Sequence, residues 1–235
     1  MGNVCAVVVA AGRSTRMGGI NKQLAPLAGI PVLARSLGAL EQSPQLEGIV
    51  LVAPRGNAGE FRLLADGWGL KKIIEIVPGG DDRQQSVLAG LLAVPSEYDL
   101  ILVHDGARPL VSSQEIEDII SAAAGCGAAT LAVPVKDTVK EAGPDGFVVR
   151  TLERGRLWLT LTPQGFFRDI LLEAHLQARD SGSIYTDDAS MVEAAGKPVR
   201  LVEGSYRNIK ITTPEDLAVA EALLNSRDWG LGIRD

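Results

Sequence analysis

VCAVVVAAGRSTRMGGINKQ, residues Val4 to Gln23, decides how the rest of the chain is read. It begins as an unbroken apolar run, Val4–Ala10, the pattern of a strand buried on both faces of a parallel sheet. The run breaks into a turn that carries Gly12, Gly18 and Gly19 with Arg13, Arg16 and Lys22. Glycine lets backbone N–H groups approach phosphate oxygens closely, and Arg and Lys supply positive charge. The same residues also suit an ordinary strand-to-helix turn with solvated charges, so this loop alone leaves phosphate binding open.

Outward from the loop, strands and helices are expected to alternate. Strands are predicted at Val4–Ala10, Gly48–Ala53, Lys72–Val77, Leu100–Val103 and Ala128–Val133. Helices are predicted at Pro31–Gln42, Gly59–Ala65, Gln84–Val94, Ser113–Ala123, Phe166–Asp180 and Pro214–Ser226. Pro31 and Pro214 are placed in first helical turns, and Glu215 and Asp216 put acid where the helix dipole favours it. Alternation with strongly apolar strands predicts an α/β fold: one doubly wound, mostly parallel, Rossmann-like sheet. Ligands bind such sheets outside the carboxyl ends of the strands. Four loops at that edge carry Gly, Arg, Lys and Asp together: AAGRSTRMGGINKQ, PGGDDRQQS, HDGARP and VKDTVK.

One segment breaks the alternation. Residues 136–157, KDTVKEAGPDGFVVRTLERGRL, place a Gly143-Pro144-Asp145-Gly146 turn between two short β-prone arms. So many charges suit a hairpin that projects from the domain, either as a dimer contact or as a solvated surface turn. The 235 residues are otherwise read as one domain spanning 1–235.

Composition narrows the function. Apolar residues make up 46% of the chain, enough for a full core, and 23 basic against 29 acidic residues give a net charge of −6. That balance argues against nucleic acid or anionic membrane as a partner, so cations for a nucleotide have to be local. Cys5 and Cys126 lack metal or disulfide spacing and read as buried small hydrophobes, in keeping with a cytoplasmic protein. No stretch is long and apolar enough for a signal peptide or a membrane span.

The loops carry chemistry of one kind. Arg16 and Lys22 could bridge the phosphates of a nucleoside triphosphate, or be solvated charges. Asp105, directly after LILVH, suits a Mg²⁺ ligand working with substrate phosphates, or a turn cap. Arg108 either pairs with Asp105 or takes a second anion. Gly79, Gly80, Asp81, Arg83 and Ser86 open a helix whose free N–H groups suit a sugar or phosphate, with capping as an equal role for Ser86. Lys210, between Ile209 and Ile211 in a short apolar strand, is a phosphate ligand if it faces the pocket and a snorkelling surface lysine otherwise. His104 reads as shaping its loop, since no nucleophile elbow accompanies it, and His175 as a helix-surface residue.

Seven blocks, AAGRSTRM…NKQ, GGDDRQQSV, VHDGARP, PVKDTVK, LWLTLTPQGF, TDDASMVE and VEGSYRNIKITTPEDL, together resemble the 2-C-methyl-D-erythritol 4-phosphate cytidylyltransferase family. They occur in that family's order from Ala10 to about Glu221. The resemblance implies transfer of CMP from CTP to methylerythritol phosphate, with Mg²⁺ or another divalent cation present and pyrophosphate leaving. It implies Arg16 and Lys22 at the α-phosphate, and Ala10, Ala11, Gly12, Gly80, Asp81, Ser86 and Gly106 around the nucleotide. It further implies Asp105 facing metal and substrate, Arg108 and Lys210 on the substrate phosphate, and Thr186 lining the same pocket. The hairpin is implied to be a homodimer arm whose Thr138 and Arg154 reach the partner's substrate. Three features depart from the family: Asn21 stands where proline is usual, the Arg16–Lys22 loop is one residue shorter than in common members, and Gly106 stands where Ala or Ser is common. A ribitol (pentitol) 5-phosphate cytidylyltransferase and a non-catalytic nucleotide-binding module are the alternatives. A nicotinamide-dependent dehydrogenase fails on pattern, because no G-x-G-x-x-G follows the first strand.

Overall fold

Alternate residues of each central strand serve opposite faces of one sheet. In β1 (Asn3–Val9), Val4, Ala6 and Val8 join one apolar cluster, while Cys5 and Val7 join another on the far face. β4 (Gly48–Ala53) divides in the same way, with Ile49 and Leu51 opposed to Val50 and Val52. So does β6 (Tyr98–Asp105), with Leu100 and Leu102 opposed to Ile101 and Val103. Burial on both faces is why these strands read as continuous apolar runs. The structure is a computed structural model that describes residues 2–12 and 21–226.

The first face is covered by α1 (Val32–Gln42), α2 (Ala58–Gly67) and α4 (Ser113–Cys126). The second is covered by α3 (Arg83–Ala93), α5 (Arg168–Ser181) and α6 (Asp188–Ala194). Adding β5 (Ile73–Pro78), β7 (Ala128–Pro134), β10 (Trp158–Phe167) and β11 (Arg200–Glu203), the sheet has seven strands in the order β11-β7-β10-β6-β1-β4-β5. All neighbours pair in parallel except β10, which runs antiparallel between β6 and β7. The carboxyl ends of β1, β5, β6 and β7 therefore share one edge, as the loop sequences require.

Smaller elements complete the chain. β2 (Pro26–Leu27) and β3 (Ile30–Pro31) form a short ribbon against which α7 (Pro214–Asn225) packs. β8 (Lys140–Ala142) and β9 (Val148–Thr151) form the expected hairpin, exposed along its whole length.

Several expectations are corrected. Phe166 and Phe167 end β10 and do not begin a helix, which starts at Arg168. β10 has no counterpart among the predicted strands: Pro163 interrupts it, and its ladder to β7 shifts register between Thr160 and Gln164. Pro31 precedes α1 in the N-cap position, whereas Pro214 does occupy a first turn. Lys210 lies in no strand; its neighbour Ile211 donates to the Ala107 carbonyl and is fully buried. Cys126 is exposed at the end of α4, unlike buried Cys5. His175 is fully buried, because α5 turns Leu171, Ala174, His175 and Ala178 inward at helical spacing.

Candidate active site

The carboxyl edge is built by close backbone approaches. Ala10 donates to the Val52 carbonyl, and Gly106 N–H donates to the Val9 carbonyl, so the β1 and β6 loops start side by side. Gly79 completes the crowding: a Cβ there would stand 2.3 Å from the Ala11 methyl and 2.9 Å from Ser86 Oγ. Only glycine fits. At Gly106 a Cβ would meet Leu33 Cδ1 at 2.8 Å, so an alanine requires that buried leucine to shift.

These approaches leave a cavity of about 200 Å³. Of the residues expected to serve the nucleotide, Ala11, Gly12, Lys22, Gly80, Asp81 and Ser86 line it. Asp105 and Lys210 line it from the β6 side. Ala10 is fully buried beneath. Ser86 Oγ accepts from Gly80 N–H at 3.1 Å and donates to the Asp82 carbonyl at 2.7 Å, which fixes the glycine loop. Asp82 caps α3 by accepting from Gln85 N–H, so the capping role falls to Asp82, not Ser86. Thr138, Arg154 and Thr186 are exposed and lie outside the lining; Arg154 donates to the Lys136 carbonyl at the root of the hairpin. Arg16 lies outside the described residues.

Asp105 is the electrostatic centre. Lys210 Nζ stands 2.7 Å from its Oδ2, Arg83 Nε 3.3 Å from its Oδ1, and Arg108 Nε 3.8 Å from Oδ2. Burial pushes the Asp105 pKa up, but Lys210, Arg83 and Arg108 together outweigh it and hold the carboxyl well below the usual range. Burial lowers the Arg108 pKa; its guanidinium stands beside Asp105 and donates to the Asn208 carbonyl at 2.7 Å. Asn208 in turn donates to the Thr162 carbonyl and lies 3.3 Å from Glu115. The Thr162 hydroxyl accepts from Asp105 N–H and is bonded to His104 Nδ1, both at 3.0 Å. Burial drives the His104 imidazole down to about 4, so it is neutral at neutral pH and holds the strand end in shape.

Arg83 adds what the sequence reading left unassigned. Its Nη1 stands 2.8 Å from Asp188 Oδ2, and Asp188 Oδ1 stands 3.0 Å from His175 Nε2. Asp188 and His175 are fully buried. The GGDDR loop singles out Arg83, but nothing local ties it to a TDD segment so distant in the chain.

The sequence pattern described as IspD, 2-C-methyl-D-erythritol 4-phosphate cytidylyltransferase, matches residues 4–226, nearly the whole chain. The chain belongs to this family. The 2-C-methyl-D-erythritol 4-phosphate cytidylyltransferase of Pelotomaculum thermopropionicum is 54% identical over 233 residues, covering 98% of each chain. The same-named protein of Desulforamulus reducens is 50% identical over 230 residues, covering 97% of this chain and 98% of its own. Among solved structures, the 4-diphosphocytidyl-2C-methyl-D-erythritol synthase of Anaerococcus prevotii superposes with a TM-score of 0.85 at 29% identity, over 95% of this chain and 99% of that one. This cytidylyltransferase chain thus shares its doubly wound sheet with a solved nucleotidyltransferase of the same family.

Proposed function

We infer that the chain transfers CMP from CTP to 2-C-methyl-D-erythritol 4-phosphate, giving 4-diphosphocytidyl-2-C-methyl-D-erythritol and pyrophosphate for isoprenoid precursor synthesis. The observation that carries this reading is the family match over residues 4–226, joined to a cationic cavity at the sheet's carboxyl edge. An oxygen of the sugar 4-phosphate attacks the α-phosphorus of CTP; a new P–O bond forms as the bond to the bridging β-phosphate oxygen breaks. Such transfers depend on positioning and on cations aimed at the developing charge. The reading gives Lys22 and Arg16 that task, supported for Lys22 by its place in the lining. Lys210 and Arg108, clustered at Asp105, take the substrate phosphate. The nucleotide rests against Ala10, Ala11 and Gly12 on one side and Gly80, Asp81 and Ser86 on the other, with Gly106 at the base.

A divalent cation fits as one carried on the triphosphate. Among the described residues no group of three His, Cys, Asp or Glu converges, whereas Asp105 offers one ionised carboxylate at the cavity. When bound, such an ion neutralises triphosphate charge and eases departure of pyrophosphate. The chain acts in this reading as one domain of residues 1–235, with 136–157 as an arm that pairs two copies. The arm's exposed Phe147, Val148 and Val149 support that pairing. Thr138, Arg154 and Thr186 then serve the sugar phosphate, the first two across the dimer. A cytoplasmic setting is part of the same reading, supported by two unbonded cysteines; among the described residues no helix is long and apolar enough to cross a membrane.

The test is pyrophosphate release with CTP and Mg²⁺, offering methylerythritol phosphate and ribitol 5-phosphate in parallel. Release on the first is expected. Release on ribitol phosphate alone overturns the assignment.

A further inference from the structure

The ion pairs around Asp105 continue away from the cavity in a single file. Asp105 Oδ1 meets Arg83 Nε, Arg83 Nη1 meets Asp188 Oδ2, and Asp188 Oδ1 meets His175 Nε2, at 3.3, 2.8 and 3.0 Å. Each link comes from a different element: the end of β6, the first turn of α3, the first turn of α6 and the middle of α5. A carboxylate only accepts, so Nε2 of His175 carries a proton and donates to Asp188. Asp188 is fully buried between two donors. A buried charge is tolerated only when paired on this pattern, and removing one partner is costly.

The guanidinium is the unit that makes this geometry. Its planar fork presents several N–H groups at fixed angles and can serve two carboxylates at once, which the point charge of a lysine cannot. Arg83 lines the cavity, yet its Nε and Nη1 are turned to Asp105 and Asp188. Asp105 has Lys210 on its other oxygen. With Oδ1 fixed by Arg83, Oδ2 is presented to Lys210 and the cavity in one orientation.

We propose that Arg83, anchored from behind by Asp188 and His175, is a positioning residue that fixes the Asp105 carboxylate for the sugar phosphate and Lys210 without itself contacting the transferred phosphate. This rests on the reading of Asp105 as a substrate-facing group. Three second-face helices thereby set the angle of one side chain on the reaction edge.

A double-mutant cycle tests it. Pyrophosphate release is measured for Arg83→Lys, Asp105→Asn and the combination, varying methylerythritol phosphate and CTP separately. Residues that act through one another lose activity non-additively, whereas independent ones add. Arg83→Lys is expected to lower kcat/KM for methylerythritol phosphate by about 10- to 100-fold, with CTP affinity within about twofold of the wild type. In the Asp105→Asn background the same change should cost less than about threefold. Additive losses overturn the proposal, because Arg83 then acts on substrate directly or on the fold at large. An Asp105→Asn enzyme with unchanged kcat/KM instead overturns the Asp105 reading itself, and the proposal with it. Should Arg83→Lys fail to fold, Asp188→Asn carries the cycle, since its side-chain oxygen still accepts from His175. It is expected to lower the same parameter about threefold or more alone and to leave Asp105→Asn unchanged; equal losses in both backgrounds overturn the proposal.

Discussion

The reaction edge and the hairpin arm both carry many charges and hold them in opposite ways. At the edge, Asp105, Asp188 and Arg108 are buried, and each is fixed by partners from other elements. On the arm, Arg150 and Glu141 meet at 2.5 Å, but their side chains are 68% and 45% exposed. The buried set has given up water and depends on geometry, whereas the exposed pair can exchange its partner for solvent. The arm's exposed residues that have no such substitute are apolar: Phe147, Val148 and Val149. Ionic contacts thus define the edge, and apolar surface defines the arm.

This contrast can be broken in order of expected effect. Lys22→Ala should lower kcat by about 100-fold or more in the pyrophosphate assay with the fold intact, since it withdraws a cation from developing charge. A kcat within a few-fold of wild type removes Lys22 from the chemistry. Asp188→Ala should cost about 3 kcal/mol or more in urea unfolding, because it strands the His175 ring and leaves partly buried Arg83 with Asp105 alone. A loss well under 1 kcal/mol makes the buried file no more demanding than the arm.

Acid sharpens the same point. Burial pushes the Asp188 pKa up, but Arg83 and His175 prevail and hold it below the ordinary value. The unfolded chain then binds the proton first. The stabilisation is complete above the unfolded carboxylate pKa of about 3.9 and is lost as pH falls through the lower folded value. Thermal midpoints should therefore drop more steeply below pH 4 in the wild type than in Asp188→Asn; parallel curves contradict this. On the arm, Phe147→Asp should shift sedimentation toward monomer, and an unchanged species sinks the pairing role. Glu141→Gln should be the mildest change, under about 1 kcal/mol in unfolding and without effect on turnover.

What the sequence discloses follows the same division. β1 and β4 are legible because both faces are apolar, and Gly48–Ala53 matches residue for residue. β10 is hidden because WLTLTPQGFF mixes polar residues with a proline, which argues against a central strand. α6 is short, and its only local signal is the capping box of Asp187 and Ser190. The loops that line the cavity are legible from Gly and Arg placed after apolar runs. The pairing of Arg83 with Asp188 is not, because it arises only when α3 and α6 land on one face. The inward turn of His175 could have been found from Leu171, Ala174 and Ala178 at helical spacing.

β10 is one rod, interrupted by Pro163, with one task at the arm and another beside Asp105. Leu157 and Trp158 take the chain out of the arm, with Trp158 opposite Pro134 of β7. A little further along the rod, the Thr162 hydroxyl holds the backbone of Asp105 and the ring of His104. The arm and the backbone of Asp105 are thus joined by a single strand, whose pairing to β7 shifts register between Thr160 and Gln164. Were two copies to pair through the arm, the strand leaving that interface would be the same one that holds the Asp105 backbone.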